Sequence, residues 1–469
     1  MSLFRKVMSV GRAKFGAALT SLLLLSPVVA HAHGGIPRAY GIIFEPGNPQ
    51  HIVLRSDIWG IFRSNDGGKT WNYGCAELYG ATWSNATHRT VVVTPGGRIL
   101  VPNQNFLDSK PVGLGLTDDL CNWRPAPDLA GKYVVEIVAS GADLVVLTAN
   151  GVDGGILGEL YKSSDKGDTW KPLGKPMPSD FSGSSLVVAP SDPTRVYALG
   201  QIIDSDGSAM LETSSDGGST WTRGAGRITK DSTDWTPRLY AVHPTRPDVV
   251  FAWADGYEGL GVNTPDEVWV TADAGKTWTK VFAGQGDLPG FALSPDGAKV
   301  LVSGPLDGIV EANVDDVLAS GQTAFKKIFD GQVWGIAWTA DGIYAGNNDF
   351  TLDGIPPPFT LGISHDEARS FDRIMTLCDV TFATCDANST MNSVCTSSWD
   401  NPAGGYVQDY TNGPRCAAPA PPKADGGSAP ARDSGGGCTF ASSRAPVSGA
   451  LLLALAVIVG MLRHRPGAR

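Results

Sequence analysis

The chain has 469 residues, with 37 Lys and Arg against 47 Asp and Glu, and a formal net charge of −10 at pH 7. Because a phosphate backbone must be neutralised by Lys and Arg, this charge argues against a nucleic acid or an anionic membrane surface as the partner. The 58 Gly and 13 Trp indicate many tight turns around sheets packed with aromatic side chains. The composition therefore favours a globular, largely β chain.

Residues 1–32 have the pattern of an export signal. A basic start precedes a mostly apolar stretch at 15–29, and Ala30-His31-Ala32 supplies the small-x-small cleavage pattern. A membrane-anchoring helix that is never cleaved is the alternative, although the apolar stretch is short for a span. We expect cleavage after Ala32 and an exported protein.

An eight-residue pattern of the form S-x-D-x-G-x-T-W recurs in the middle of the chain at intervals of about fifty residues. It is well preserved at 64–71, 163–170, 214–221 and 271–278, and degenerate at 116–123 and 364–371. Its third-position aspartates are Asp66, Asp118, Asp165, Asp216, Asp273 and Asp366. Its final aromatic residues are Trp71, Trp123, Trp170, Trp221, Trp278 and Phe371. The last interval is nearly double, so we infer that one repeat has lost the pattern.

A second feature gives the number of repeats independently. Two β-patterned runs around a turn precede each copy of the pattern, as at 42–54 and 186–199, and seven such pairs occur. The pair at 291–303 is followed by no copy and fills the double interval. Each unit predicts four antiparallel strands, so residues 33–376 predict an all-β, seven-bladed β-propeller, which protects its sheet edges by circular repetition. Six blades, or eight if terminal strands are counted, are the alternatives.

The S-x-D-x-G-x-T-W pattern resembles the Asp box, also called the BNR repeat. In such a hairpin turn the carboxylate accepts N–H groups that the turn leaves unpaired, and Gly adopts a positive φ without steric cost. The aromatic residue buries its face between neighbouring sheets. We interpret these residues as structural. Sialidases, the sortilin ectodomain, photosystem II assembly factors and xyloglucan-cleaving glycosidases share this architecture, and the resemblance implies the fold without selecting among them.

One segment resembles a catalytic motif. Residues 55–63 are similar to the Arg-Thr-Asp-x-Gly-Gly-x-Tyr-Arg segment of xyloglucan-cleaving enzymes, and this resemblance makes Asp57 a candidate catalytic carboxylate. Glycoside hydrolysis needs a second carboxyl group across a cleft, which that family takes from a second propeller. A strand-connecting turn is the simpler interpretation of Asp57. The sialidase motif Arg-Ile-Pro is not matched, because residues 35–38 read Gly-Ile-Pro-Arg.

The sequence predicts no cofactor and no metal site. The seven His are isolated from one another. Residues 204–207 begin like a calcium loop but lack the liganding Glu at the twelfth position, which favours an Asp-Gly hairpin turn.

The favoured function is recognition of a protein or glycan ligand by loops that join second and third strands, with the protein acting as a monomer. A glycan-processing enzyme on the same scaffold is the alternative. Two or more carboxylates with Trp or Tyr around the central channel would favour the enzyme. The residues that decide between the two are Asp57, Trp59, Trp83, Trp253, Tyr257 and Trp334.

Six of the seven cysteines are disulfide candidates, because an exported chain permits disulfides. They are Cys75, Cys121, Cys378, Cys385, Cys395 and Cys416. Six cysteines allow fifteen connectivities, and the sequence does not choose among them. The last four lie in a polar extension at 377–416, where zinc binding is the alternative, but their spacings match no usual zinc pattern.

The carboxy-terminal part of the sequence has the pattern of a second localisation signal. Residues 417–437 form a Pro/Ala/Gly linker, followed by Cys438, an apolar stretch at 447–462 and a basic end. This order resembles the MYXO-CTERM sorting tail of myxobacterial surface proteins. The resemblance implies that 438–469 is a sorting tail with a short transmembrane helix, cut near Cys438 by a dedicated membrane protease. The protein would then stay at the cell surface or outer membrane. An ordinary single-pass anchor is the alternative.

Overall fold

The computed structural model describes residues 38–400 except 57–58, 80–89, 103–112, 153–154, 204–207, 230–234, 257, 260–261, 264, 321–323 and 348–358. The predicted export signal, linker and sorting tail lie outside the described residues and stay predictions. Asp57, Trp83, Tyr257, Cys416 and Cys438 also lie outside the described residues, so the roles predicted for them stay predictions. Within the described part of the chain, no helix is long and apolar enough to cross a membrane.

The strands form seven four-stranded blades, which confirms the predicted seven-bladed propeller. Blade 1 contains β1 (Ala39–Glu45), β2 (Asn48–Ser56), β3 (Gly60–Ser64) and β4 (Trp71–Cys75). Blade 2 contains β5 (Val92–Val93), β6 (Ile99–Pro102), β7 (Leu114–Thr117) and β8 (Trp123–Pro125). Blade 3 contains β9 (Val134–Ser140), β10 (Asp143–Val152), β11 (Gly155–Ser163) and β12 (Lys171–Leu173). Blade 4 contains β13 (Phe181–Ala189), β14 (Asp192–Ile202), β15 (Ala209–Ser214) and β16 (Thr222–Ile228).

The remaining blades follow the same order. Blade 5 contains β17 (Trp235–Val242), β18 (Val250–Gly256), β21 (Glu267–Thr271) and β22 (Thr279–Ala283), with the small hairpin β19 (Glu258–Gly259) and β20 (Val262–Asn263) between its second and third strands. Blade 6 contains β23 (Gly290–Leu293), β24 (Lys299–Gly304), β25 (Gly308–Asn313) and β26 (Lys326–Phe329), with helix α1 (Val314–Ser320). Blade 7 contains β27 (Gly335–Trp338), β28 (Ile343–Gly346), β29 (Leu361–Ser364) and β30 (Asp372–Met375). Then come β31 (Val380–Phe382) and helix α2 (Thr390–Asp400). Short 3-10 helices within the described residues include Ala76–Tyr79, Pro127–Leu129 and Leu377–Asp379.

The antiparallel order of each blade gives the ring two different faces. Connections from second to third strands, and from one blade to the next, lie on one face, which we call the loop face. Turns from first to second and from third to fourth strands lie on the other, which we call the turn face. First strands of neighbouring blades contact one another and surround the central channel. The repeated pattern therefore lies opposite the loops predicted to bind a ligand.

One hydrogen-bonded turn recurs between third and fourth strands. In blade 3, Asp165 Oδ1 accepts hydrogen bonds from the Ser163 hydroxyl (2.7 Å) and the Thr169 N–H (2.9 Å), while Oδ2 accepts one from the Thr169 hydroxyl (2.6 Å). The Thr169 hydroxyl and N–H hold the pKa of Asp165 at about 2. Two residues of this turn adopt a positive φ, Lys166 at 60° and Gly167 at 93°. Equivalent bonds hold Asp66, Asp216, Asp273 and Asp366.

The turn of blade 2 is one residue shorter than the others, which corrects one predicted position. Asp119, and not Asp118, accepts the N–H groups of the turn, from Cys121 (2.9 Å) and Asn122 (2.7 Å). Asp118 instead forms a salt bridge with Arg98 at 2.6 Å. The physical reason is a deletion: only Leu120, at φ 68°, has a positive φ here, whereas the turn of blade 3 uses two such residues.

The aromatic residues that end the pattern are buried to different degrees. Trp71, Trp123 and Trp170 are buried, and each donates its indole N–H to a turn carbonyl at 3.0 Å. Trp221, Trp278 and Phe371 are only half-buried, contrary to the expectation of equal burial. Each of the three buried residues has an added partner at its backbone: β31 pairs at Trp71, the Thr390 hydroxyl of α2 accepts the Trp123 N–H, and Asp128 accepts the Trp170 N–H.

The chain after blade 7 fastens the ring. We call residues 377–400 the clasp. Its strand β31 adds to the outer edge of blade 1, parallel to β4. Disulfides join Cys395 to Cys75 in blade 1 and Cys385 to Cys121 in blade 2. Cys378 is also disulfide-bonded. Disulfides of this kind form and persist in oxidising compartments, as expected of an exported protein.

The seam of the ring lies between blades 7 and 1. The Ala39 N–H donates to the Asn347 carbonyl at 3.2 Å, and the rings of Tyr40 and Trp334 lie 5.6 Å apart. All four strands of blade 1 come from the start of the propeller, and all four of blade 7 come from its end. Side-chain packing, a few hydrogen bonds and the clasp therefore close the ring without an exchanged strand.

Candidate functional site

The central channel contains a cavity of about 240 Å³. Its wall is formed by the first strands of blades 3, 4 and 5 and by the residues that lead into the first strand of blade 2. Six of the twelve lining residues are aliphatic. The residues that give it chemistry are Thr90, Glu136, Ser185, Arg238, Tyr240 and Trp253. Small-ligand sites usually combine apolar surface with a few convergent polar groups.

Glu136 is the one carboxylate among the described residues that line the cavity. Burial raises its pKa to about 7, although a hydrogen bond from Thr90, the charge of Arg238, a contact with Ser185 and the charge of Arg55 all act in the opposite direction. The Ser185 hydroxyl lies 3.4 Å from its Oε2. Both protonation states of Glu136 are therefore populated near neutral pH.

Arg55 lies behind this wall, almost completely buried at 1% exposure. Its Nη1 donates a hydrogen bond to the Thr90 carbonyl at 3.0 Å, and its guanidinium carbon lies 5.9 Å from the centre of the Tyr79 ring. Its Nε is buried and has no hydrogen-bond partner within the described part of the chain. Burial lowers the pKa of Arg55, while the negative charge of Glu136 supports the charged form.

Stacked aromatic rings form the side of the cavity at blades 5 and 6. Tyr240 stacks on Trp253 at 5.7 Å and on Phe291 at 4.4 Å between ring centres. The polar ends of the first two rings are already bonded: the Tyr240 hydroxyl donates to the Leu288 carbonyl (2.6 Å), and Trp253 Nε1 donates to Asp266 (2.8 Å). These rings therefore offer the cavity apolar surface rather than hydrogen bonds.

Asp266 is a second acid with a raised pKa, but its place is structural. It is 1% exposed and accepts hydrogen bonds from Trp253 Nε1, the Gly256 N–H (2.7 Å) and the Leu288 N–H (2.7 Å). Burial and the nearby charge of Asp255 raise its pKa to about 7. These bonds join the end of β18 to the entry of blade 6, so Asp266 orients Trp253 instead of facing a ligand.

The structure brings only part of the predicted site together. Trp253 lines the cavity. Trp334 lies at the seam, where the Arg38 guanidinium carbon is 4.1 Å from the centre of its ring. Trp59 is 7% exposed at the start of blade 1's third strand. Among the described residues, no group of three or more His, Cys, Asp or Glu could hold a metal ion.

Sequence reasoning missed the two charged residues of the wall. Glu136 lies in Val-Val-Glu-Ile-Val, inside a predicted first strand, and Arg238 lies in Pro-Arg-Leu-Tyr, one residue before the predicted run that begins at 239. A charged residue in the strand that faces the channel was the available signal, because that strand is surrounded by other blades. A single Glu is also expected in a strand with one exposed face, where apolar and polar residues alternate, so the sequence did not distinguish the two cases.

Comparisons with known proteins support the scaffold. The family model described as sortilin, neurotensin receptor 3 (Sortilin-Vps10) matches residues 158–289, from the third strand of blade 3 to the end of blade 5. Similar solved structures include an ancestral GH74 enzyme, with 18% identity, a TM-score of 0.50 and coverage of 72% of this chain. They also include hydrazine synthase of Kuenenia stuttgartiensis, with 13% identity, a TM-score of 0.45 and coverage of 69% of this chain. A third is YCF48 of Cyanidioschyzon merolae, with 13% identity, a TM-score of 0.36 and coverage of 72% of this chain.

The extent of these matches limits what they show. The chain spans 46% of the GH74 enzyme, 96% of the hydrazine synthase chain and 84% of YCF48. No curated protein matches the sequence. At such identities, similarity to the GH74 enzyme shows the fold alone. The chain is a seven-bladed β-propeller that contains a sortilin-like segment.

Proposed function

We propose that the protein is an exported propeller that binds a glycan in the central channel and does not cleave it. The supporting observation is the make-up of the cavity wall: one carboxylate, one guanidinium, hydroxyl groups and stacked aromatic rings. Hydroxyl-rich ligands need both donors and acceptors, and the ring faces offer apolar surface to the carbon side of a sugar.

The lone carboxylate argues against hydrolysis. Glycosidases use two carboxyl groups, about 5–5.5 Å apart in retaining enzymes and about 6.5–9.5 Å apart in inverting ones. Glu136 is the single carboxylate of the described wall, and Asp266 is buried with three hydrogen bonds already formed. The described wall of the cavity thus offers one acid and no paired base or nucleophile.

One observation favours glycan processing as a second candidate. Arg55, two residues before Asp57, contacts Thr90 in the cavity wall and acts electrostatically on Glu136. The segment that resembles a glycosidase motif therefore begins, at Arg55, beside the wall of this cavity. Asp57 would have to supply the second carboxylate.

A glycan array with the purified protein, followed by hydrolysis assays on every ligand found, tests the proposal. We expect glycan ligands whose binding is lost with Trp253→Ala, because this change removes the ring that faces the cavity. Asp57→Asn is the matched test of the second candidate, and we expect it to leave binding unchanged. Release of reducing sugar that disappears in Asp57→Asn would show the enzyme instead, and an array without any glycan ligand would contradict the proposal.

We also propose that the mature protein is held at the cell surface through Cys438, after a sorting protease removes the residues beyond it. The disulfides of the clasp support export, and the resemblance of 438–469 to a sorting tail supports retention. Mass spectrometry of the surface protein should find a modified carboxyl terminus at or near Cys438. Recovery of an intact peptide that runs from Cys438 into 447–462 would instead indicate a plain membrane anchor.

A further inference from the structure

Glu136 is placed to contact a ligand by its position and by its hydrogen bonds to the protein. It is half-buried in β9 and lines the cavity. The Ser185 hydroxyl contacts its Oε2 at 3.4 Å, which is long for a hydrogen bond between a hydroxyl and a carboxylate, and the Thr90 side chain gives it a second hydrogen bond. Two hydroxyl groups thus hold a carboxylate that remains open to the cavity.

These bonds leave part of the hydrogen-bonding capacity of Glu136 unused. An ionised carboxylate has about four acceptor positions on its two oxygens. Among the described residues, Thr90 and Ser185 are the hydrogen-bonding partners of Glu136. Ser185 is itself fixed, because its hydroxyl oxygen accepts the Leu239 N–H at 3.0 Å and its hydrogen is directed to Glu136. Glu136 can therefore accept further hydrogen bonds from a ligand in the cavity.

We infer that the cavity binds one neutral hexose unit of a glycan, and that the ionised Glu136 carboxylate accepts hydrogen bonds from two neighbouring hydroxyl groups of that sugar. The inference rests on the proposed glycan-binding function and names both the class of sugar and the residue that selects it. Two adjacent hydroxyl groups are a pair of donors, and they match the two oxygens of a carboxylate as the paired donors of a guanidinium do.

A neutral ligand suits the charges that are already present. Arg55 and Arg238 both act on Glu136 with positive charge, so this carboxylate does not need a cationic ligand as its partner. A ligand with its own carboxylate would bring a second negative charge next to Glu136, and like charges at one site disfavour each other. Hydroxyl groups donate hydrogen bonds to the carboxylate without adding charge.

The size of the cavity and its aromatic rings agree with one sugar unit. A volume of about 240 Å³ lies below the roughly 300–1,000 Å³ of pockets that enclose drug-sized ligands. Tyr240 and Trp253 line the cavity with apolar ring surface, on which the carbon side of a pyranose ring can pack. The other units of a longer glycan would then lie outside the cavity.

Glu136 should make this binding depend on pH in a defined direction. The groups that act on it are Arg55 from β2, Arg238 from β17 and the hydrogen-bonding side chains of Thr90 and Ser185. Hydrogen bonds from neutral hydroxyl groups favour the ionised form of Glu136, so binding releases a proton. Because the pKa of Glu136 is about 7, the affinity should be full above that pH and fall as the pH decreases through it. From pH 8 to pH 6 the expected loss is about tenfold.

Titration calorimetry with the methyl glycosides of D-glucose, D-galactose and D-mannose, and with D-glucuronate, tests the inference on the purified protein. At pH 8 we expect at least one neutral glycoside to bind more tightly than D-glucuronate, and to bind about tenfold more weakly at pH 6. Glu136→Gln, which is nearly isosteric, should weaken this binding at least about tenfold at pH 8 and abolish its pH dependence, because hydrogen bonds to a charged group are lost. Monodeoxy analogues of the bound glycoside should identify two neighbouring hydroxyl groups whose removal weakens binding to the wild type more than binding to the variant.

Glu311→Gln is the matched control. Glu311 lies on the third strand of blade 6, pairs with Lys299 at 3.2 Å and is not among the residues that line the cavity, so its replacement should leave binding and the pH dependence unchanged. Glu136→Gln should also be at least as stable as the wild type at pH 8. The raised pKa of Glu136 means that its ionisation destabilises the folded state above about pH 7, and Gln removes that cost. Loss of binding in a stable variant then reports a lost contact.

The outcomes separate this inference from the function it rests on. If a neutral glycoside binds but neither Glu136→Gln nor the pH changes its affinity, glycan binding stands and the role of Glu136 is wrong. If D-glucuronate binds more tightly than every neutral glycoside, or if the array finds glycans and none of the three glycosides binds, glycan binding stands and the neutral hexose is wrong. If no sugar binds in either experiment, both the inference and the proposed function are wrong.

Discussion

Replacing the four cysteines of the two clasp disulfides with Ala is expected to lower the free energy of unfolding by about 4–8 kcal/mol, at about 2–4 kcal/mol for each disulfide. The two bonds span 320 and 264 residues of sequence, so each restricts a very large loop in the unfolded chain. Cys75 and Cys395 are fully buried, and Ala avoids placing an unpaired hydroxyl there. Denaturant unfolding without reductant measures the loss.

The single-bond variants are the controls. One variant combines Cys75→Ala with Cys395→Ala, and the other combines Cys121→Ala with Cys385→Ala. Each should lose less free energy of unfolding than the variant that lacks all four cysteines, because the other disulfide still fastens the clasp. Adding reductant to the wild type should lower the free energy of unfolding at least as much as replacing the four cysteines, because it also breaks the disulfide of Cys378. Equal stability of the wild type and the fourfold variant would show that packing alone closes the ring.

Trp71→Ala is expected to cost about 3–5 kcal/mol, the range for a fully buried large aromatic residue. Trp71 has 0% exposure, packs beneath the clasp and donates its indole N–H to the Gly68 carbonyl. Its removal would leave both a cavity and an unpaired carbonyl. Thermal and denaturant unfolding measure the cost.

Trp278→Ala is the matched control, since Trp278 ends the same pattern in blade 5. It is half-buried, and its indole nitrogen is buried without a hydrogen-bond partner within the described residues. Removing it loses less apolar contact and relieves an unsatisfied donor, so the expected cost is about 1–2 kcal/mol. Equal losses for the two variants would mean that the clasp contributes nothing to the burial of Trp71.

The blades could be predicted because each is specified locally. A carboxylate that closes a hairpin turn needs its partners three to four residues away, so the turn leaves a pattern in the sequence. Even the repeat without the pattern was recognised from its strands, and in blade 6 a connection that includes α1 replaces the turn. Asp118 was predicted where Asp119 holds the turn, because this turn is one residue shorter and its carboxylate is therefore one residue nearer to Trp123.

The candidate site could not be predicted in the same way, because its parts are distant in sequence. Arg55, Glu136 and Arg238 come from three blades and meet only when the ring is closed. The disulfide pairs depend on closure too, because residues after blade 7 reach blades 1 and 2 only in the finished ring. Spacing along the chain carries no signal for either arrangement.

The clasp also decides how the propeller carries mechanical load. Tension on helix α2 reaches Cys395 and passes through its disulfide into Cys75, on the outer strand of blade 1. Load that takes this route bypasses β30 and the hydrogen bonds of the seam. A pull on α2 is therefore resisted by a covalent bond to blade 1 rather than by the hydrogen bonds of the seam.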